Sequence, residues 1–246
     1  MARDLLISLC TYNERENLQR LLPEIRAVAP DAHVLIVDDN SPDGTGDFAR
    51  QQAEADPVIH VIRREGKLGL GTATVAAMRF AIENDYRWLL NMDADFSHDP
   101  KFIPALTSAR ERADVVIGSR YVPGGRIEGW PWWRHLMSRG INWYARTLLR
   151  LPVRDCSGAF RCYRTAVLAR IDLSRIRARG YAFQEEILKR CRDVGARFVE
   201  VPIVFRDRRF GQSKIDWKES VTALWVILRL ALERSAEAPV PHQRTP

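Results

Sequence analysis

The sequence predicts an α/β fold built on a mostly parallel sheet flanked by helices, and three observations lead there. Short apolar runs at residues 5–10, 34–37, 58–62, 88–92 and 115–118 are separated by longer amphipathic stretches. Strand, helix, strand at this spacing calls for crossover connections, hence parallel strands covered on both faces. Acidic pairs follow two of the runs, Asp38-Asp39 and Asp93-Ala94-Asp95. They therefore stand at strand carboxyl ends, where sheets of this kind bind ligands.

The elements follow in order. Residues 5–10 are too short to span a bilayer or serve as a secretory h-region, so they read as a first strand after Arg3 and Asp4. The polar turn Thr11-Tyr12-Asn13-Glu14 leads to a helix over about 16–28, with Leu18, Leu21, Leu22 and Ile25 on one face. After the second run comes the turn Asn40-Ser41-Pro42-Asp43-Gly44, then a helix through Phe48 and Ala53. Residues 66–71 form a loop and 72–84 a helix. The second half is less regular. Residues 124–133 are rich in Gly, Pro and Trp, 134–150 form a helix, 199–205 a strand and 217–234 a last amphipathic helix. Three segments result: a globular α/β domain over 1–214, an amphipathic helix over 215–234 and a disordered tail over 235–246.

Apolar residues make up 46% and charged residues 28% of the 246, a composition that excludes global disorder. The net charge of +7 favours an anionic partner: nucleic acid, membrane or a phosphorylated substrate. The four cysteines form no CxxC pair or zinc pattern, which suits reduced structural thiols in a cytosolic protein. No segment approaches the ~20 apolar residues that cross a bilayer. An enzyme acting at a membrane would work from one face, or be held there by an anchoring partner.

Alternation along an extended segment lets Asp93 and Asp95 face the same side. Two adjacent carboxylates repel unless a cation lies between them, and hard oxygen donors suit Mg2+ or Mn2+ bridging to phosphates. Asp38-Asp39 either accept hydrogen bonds from a nucleoside or cap the turn behind them. The segment Gly66-Lys67-Leu68-Gly69-Leu70-Gly71 matches neither phosphate-loop pattern and reads as a tight loop opening a helix against the ligand. Trp130, Trp132 and Trp133, beside a basic helix, suggest an interfacial surface, and so does the apolar face of Trp217, Val221, Leu224, Trp225, Leu228 and Leu232.

Five segments in order resemble the polyprenol-phosphate (dolichol-phosphate) mannosyltransferase family, inverting glycosyltransferases of the GT-A fold: Thr11-Tyr12-Asn13-Glu14-Arg15-Glu16-Asn17, Val37-Asp38-Asp39-Asn40-Ser41-Pro42-Asp43-Gly44-Thr45, Lys67-Leu68-Gly69-Leu70-Gly71-Thr72-Ala73, Met92-Asp93-Ala94-Asp95-Phe96-Ser97-His98 and Gly211-Gln212-Ser213-Lys214. The resemblance implies transfer of mannose from GDP-mannose to a polyprenyl phosphate with inversion, on the cytosolic face of a membrane and without nucleic acid. It assigns nucleoside contacts to Tyr12, Glu14, Val37 and Asp39, with Cys10 standing in a backbone-contact position where the family usually has Pro. Asp93, Ala94 and Asp95 would hold the diphosphate, with Mg2+ or Mn2+ on Asp93, Asp95 and Ser97, the last replacing a Gln of some relatives. Arg120, Arg134 and Ser138 would bind the acceptor phosphate, and Arg208 and Lys214 would close over the donor phosphates. Asp95, Arg120 and Arg134 are the implied catalytic residues. The segments 155–161 and 180–186 would shape the sugar pocket. Other donors, UDP-glucose above all, use the same frame. Nucleotidyl transfer and RNA binding are the competing classes. The nucleophile would be a phosphate oxygen needing no general base, with Glu186 the nearest candidate for one.

Overall fold

The computed structural model describes residues 3–176, 178, 180, 182–207 and 217–233, with side chains in the last stretch from Leu224 onward. Arg208, Lys214, the Gly211-Gln212-Ser213-Lys214 motif, Tyr181, the side chains of Trp217 and Val221 and the tail 235–246 lie outside the described residues.

The elements are β1 Arg3–Thr11, α1 Arg15–Val28, β2 His33–Asp38, α2 Thr45–Ala55, β3 Ile59–Arg63, α3 Leu70–Glu83, β4 Tyr86–Asp93, α4 Ile103–Ser108, β5 Val115–Ser119, β6 Arg126–Glu128, α5 Trp132–Leu148, β7 Arg161–Arg164, α6 Thr165–Leu168, α7 Ala182–Asp193, β8 Phe198–Pro202, β9 Val204–Arg206 and α8 Trp217–Leu232. A seven-stranded sheet runs in the order β3-β2-β1-β4-β7-β5-β8, and β6 pairs with β9 in a separate two-stranded sheet. All main-sheet pairings are parallel except those of β7, which lies antiparallel between β4 and β5.

Alternation along the strands splits the core into two layers. Ile7, Leu9, Val34, Ile36, Leu90 and Met92 pack with Leu18, Leu21, Leu22 and Ile25 of α1 on one face. Leu6, Leu35, Val37, Leu89, Val115 and Ile117 face the opposite layer, with α3, α5 and α7. The helix-covered parallel sheet was therefore legible, whereas four details differ. β7 has charged residues at both ends, which hid it; Arg161 is nonetheless fully buried. The single strand expected over 199–205 is two strands, because the chain leaves the main sheet after Pro202 and joins β6. The helix expected from residue 134 begins at Trp132, so Trp132 and Trp133 lie in its first turn and not in a loop. Finally, α8 has two apolar sides: Ile227 and Leu230 are buried, while Trp225, Leu228 and Leu232 are exposed. Among the described residues no helix is long and apolar enough to cross a membrane.

At the amino end of the sheet, away from the acidic strand ends, His33 and His60 meet Tyr86. His33 Nδ1 lies 3.0 Å from His60 Nε2, and the Tyr86 hydroxyl lies 2.8 and 3.0 Å from the two nitrogens. Burial first holds both histidines below their usual range, helped by Arg3 and Arg26 at His33 and by His33 and Arg3 at His60. A depressed histidine binds its proton more weakly folded than unfolded, so stability is lost as pH falls below about 6.5. The melting temperature is expected to drop between about pH 7 and pH 5, and His60→Gln to flatten that drop. An unchanged acid slope in the variant would show that the pair contributes nothing to it.

Candidate active site

The acidic strand ends do different jobs. Asp38 is fully buried; its carboxylate accepts from Thr11 Oγ1 (3.1 Å), Ser41 Oγ (2.5 Å) and Ser41 N (3.0 Å). It fixes the turn after β2, the second of the two readings the sequence left open. Asp39 reaches the other way. Its Oδ2 accepts from the amides of Leu68 and Gly69, both at 3.1 Å, and Arg64 pairs with Oδ1 at 3.1 Å. Asp39 thus ties the loop before α3 to the end of β2. Lys67 of that loop lies over the Tyr12 ring at 4.3 Å. Glu14 Oε2 accepts from Asn17 Nδ2, and its amide donates to Thr45 Oγ1, joining the two turns. Val37 is buried in the sheet, which leaves its backbone as the part a ligand could meet. Burial pushes the Cys10 thiol up to about 12, so it is an inert side chain beside Thr74 Oγ1 (3.8 Å).

β4 delivers Asp93, Ala94 and Asp95. Ser97 donates to Asp95 Oδ1 through both its amide (3.1 Å) and its hydroxyl (2.6 Å). This hydroxyl orients the Asp95 carboxylate. His98 escaped the sequence reading. It is 2% exposed, and its Nδ1 accepts from the Asp93 amide at 3.0 Å. Burial lowers its pKa against the pull of Asp93 and Asp95, so the ring stays neutral and pins the Asp93 backbone. Among the described residues no three or more His, Cys, Asp or Glu are grouped to hold a metal ion.

The cations come from later elements. Arg120 follows β5 and forms a bidentate pair with Asp155: Nε to Oδ2 and Nη2 to Oδ1, both 2.7 Å. Its amide also donates to Asp155 Oδ2 (3.0 Å), and Nη2 reaches Ser157 Oγ at 2.8 Å. Burial opposes both charges, but mutual attraction wins, holding the carboxyl below and the guanidinium above their usual ranges. Arg134 stacks over Trp130 at 4.0 Å and pairs with Asp207 at 3.1 Å. It is neither solvated nor lipid-facing. Ser138 Oγ lies 2.6 Å from the Tyr121 hydroxyl.

One short strand joins the two halves. The Arg206 amide donates to the Ser97 carbonyl, and Phe205 forms a bridge with His98. The Phe205 ring packs against His98 (5.6 Å) and Trp130 (5.6 Å), and the Arg120 guanidinium lies 5.4 Å from its centre. The acidic turn after β4 and the arginines are thereby held in one rigid cluster. In the segment 180–186, Glu186 is not the base candidate. It accepts from the Ala178 amide (2.8 Å) and pairs with Arg190 (3.1 Å). Glu185 is the unusual group: it is 1% exposed, Oε2 has no hydrogen-bond partner among the described residues, and burial pushes its pKa up to about 8. Gln184 Nε2 is likewise buried and unmatched among the described residues.

Residues 7–172 match the family described as "Glycosyl transferase family 2". The chain is 44% identical over 212 residues to the polyprenol monophosphomannose synthase of Mycolicibacterium smegmatis, covering 85% of this chain and 80% of that one. It is 45% identical over 205 residues to the undecaprenyl-phosphate mannosyltransferase of Micrococcus luteus, covering 83% and 84%. The fold is similar to that of glucosyl-3-phosphoglycerate synthase of Mycobacterium tuberculosis, crystallised with Mn2+ and UDP. The TM-score is 0.64 at 17% identity, over 94% of this chain and 79% of that one.

A carboxyl whose pKa is raised on folding makes the fold less stable as pH rises from its unfolded value of 4.5 to its folded value of about 8. Glu185→Gln removes that penalty. Chemical denaturation is expected to find variant and parent alike at about pH 5 and the variant more stable at about pH 8. A variant less stable than the parent at the higher pH would mean that Glu185 is ionised and paired.

Proposed function

The chain belongs to glycosyltransferase family 2, and we propose that it transfers mannose from GDP-mannose to a polyprenyl phosphate, giving a β-linked polyprenyl phosphate mannose. The observation that carries this reading is the contact chain from the Asp93 backbone through His98 and Phe205 to Arg120 and, by way of Trp130, to Arg134. Transfer to a phosphate brings two anions together, the donor's diphosphate and the acceptor. Cations on the acceptor side and a metal on the donor side offset their repulsion. Both mannosyltransferase relatives are named for a polyprenyl-type acceptor, which supports the same acceptor here.

Asp93 and Asp95 offer a hard oxygen donor set that fits Mg2+ or Mn2+, with the rest of the coordination supplied by the diphosphate and water. The glycosyltransferase of similar fold crystallised with Mn2+ supports a divalent ion of this kind. Such an ion, when bound, neutralises charge on the departing nucleotide. Ser97 keeps the Asp95 carboxylate oriented, and His98 keeps the Asp93 backbone in place. Tyr12, Glu14, Val37, Asp39 and the Cys10 backbone line the nucleoside end. Arg208 and Lys214 are proposed to cover the donor phosphates.

On the acceptor side Arg134 and Ser138 would grip the phosphate while Arg120, locked on Asp155, supplies fixed positive charge. A phosphate monoester with its second pKa near ~6 is mostly a dianion at neutral pH and has no proton to lose. A neutral, buried Glu185 and an Arg190-paired Glu186 suit a reaction without a general base. The protein's work is alignment of the phosphate behind the anomeric carbon and stabilisation of the leaving diphosphate. Exposed Trp132, Trp133, Leu136 and Trp143 of α5, with Trp225, Leu228 and Leu232 of α8, support a peripheral position on a membrane, which we place on the cytosolic face. A membrane-anchoring partner protein would add to that hold.

A panel of nucleotide sugars with a short polyprenyl phosphate, read by mass spectrometry of the lipid product, tests the reading. GDP-mannose is expected to give the mannosyl lipid and UDP-glucose little or none. Asp95→Asn should lower turnover on the order of 10²–10³-fold with the fold intact, and excess EDTA should do the same to the parent. Glucosyl product from UDP-glucose in preference would overturn the donor assignment, and full activity in EDTA the metal.

A further inference from the structure

Beside Arg120 a cavity of about 490 Å³ opens between the loop after β5 and one side of α5. Its far wall carries Arg139, Arg146 and Arg154, with Asn142 and Trp143 between them. The near wall is the loop over residues 121–125: a Cβ on Gly125 would lie 2.5 Å from the Ser119 carbonyl oxygen, so this loop hugs the end of β5. The side chains of all three arginines are exposed, and none has a carboxylate partner among the described residues. The nearby Glu200 carboxylate is taken by the amides of Arg154 (2.9 Å) and Asp155 (3.0 Å). Arg120 and Arg134, by contrast, are each matched by an aspartate. The uncompensated positive charge of this region is therefore concentrated in the groove.

We propose that this groove binds the phosphate of an anionic membrane phospholipid, separately from the acceptor. Three guanidinium forks around one space match the several acceptor oxygens of a phosphodiester. The surroundings say what the anion is attached to. Trp143 in the groove is 69% exposed, and Trp132 (78%) and Leu136 (66%) continue an apolar surface along the same helix. Tryptophan with arginine at such a boundary is the composition of a lipid headgroup interface. The site rests on the reading that α5 faces a membrane, and it needs no sugar donor to be observed.

The test is co-sedimentation of the full chain with phosphatidylcholine vesicles with and without phosphatidylglycerol. Anionic vesicles are expected to bind the parent more tightly. The triple variant R139Q/R146Q/R154Q should lose that preference by on the order of 100-fold, and R146Q alone by about fivefold. Circular dichroism should show the same melting temperature, and transfer to a short, water-soluble polyprenyl phosphate should stay at the parental rate. Equal binding of parent and triple variant to anionic vesicles would overturn the site. So would a parent indifferent to phosphatidylglycerol, or millimolar inorganic phosphate displacing the protein from vesicles, which would mark a small-anion site. A rise in KM for the soluble acceptor with vesicle binding unchanged would instead make the groove part of the acceptor site. Loss of mannosyl transfer by the parent would count against the proposed reaction, not against the groove.

Discussion

The ion pair between Arg120 and Asp155 is the joint from which the proposed acceptor side of the molecule hangs. Through the Arg120 backbone and side chain it closes the end of β5, and through Ser157 and Asn142 it reaches α5. Glu200 of β8 receives the backbone amide of Asp155, so the ends of β5 and β8 are both tied to this one residue. Both partners are almost completely buried. Removing either would leave a charge without solvent or counter-ion, a loss of about 3–5 kcal/mol. The pair also fixes the place of a positive charge that the proposed transfer would use: Arg120 is held against Tyr121, Trp130 and Phe205. Preorganised charge of this kind stabilises an anionic transition state without reorganising during the reaction.

The donor half is organised by shorter links. Each strand-end aspartate has a different local duty, and the duties add up to one surface. Asp38 holds its own turn, Asp39 holds the loop before α3, and Asp95 is steadied by Ser97. Since β9 hydrogen-bonds to the Ser97 carbonyl and Asp207 just beyond it pairs with Arg134, the two halves cannot drift apart independently. A separation fixed in this way suits displacement in line, where small misplacements reduce rate steeply.

The layout of the sheet was readable because strand and helix periods differ, and because acids at strand ends stand out against apolar runs. Asp93, Asp95 and the Arg120–Arg134 group were legible as candidates from their motifs. Their partners were not. Asp155 lies 35 residues from Arg120, and nothing in the local pattern couples them. His98 carried no signal of its own in the sequence; its ring meets the Asp93 amide and its backbone bridges to Phe205 of β9. β7 was missed because a buried arginine breaks the apolar pattern; its charge is met by the carbonyls of Cys156 and Gln184. Glu185 and Glu186 are adjacent, so only their tertiary surroundings separate a paired carboxylate from a neutral one.

The central claim is a single displacement: an oxygen of the lipid phosphate attacks the anomeric carbon while the nucleotide leaves from the opposite side. Its most direct test is the anomeric configuration of the lipid-linked sugar formed from an α-linked donor, read from the one-bond carbon–hydrogen coupling at the anomeric carbon by NMR. The account predicts the β-anomer alone. An α-linked product would contradict it, because one in-line displacement on an α-linked donor must invert the anomeric carbon.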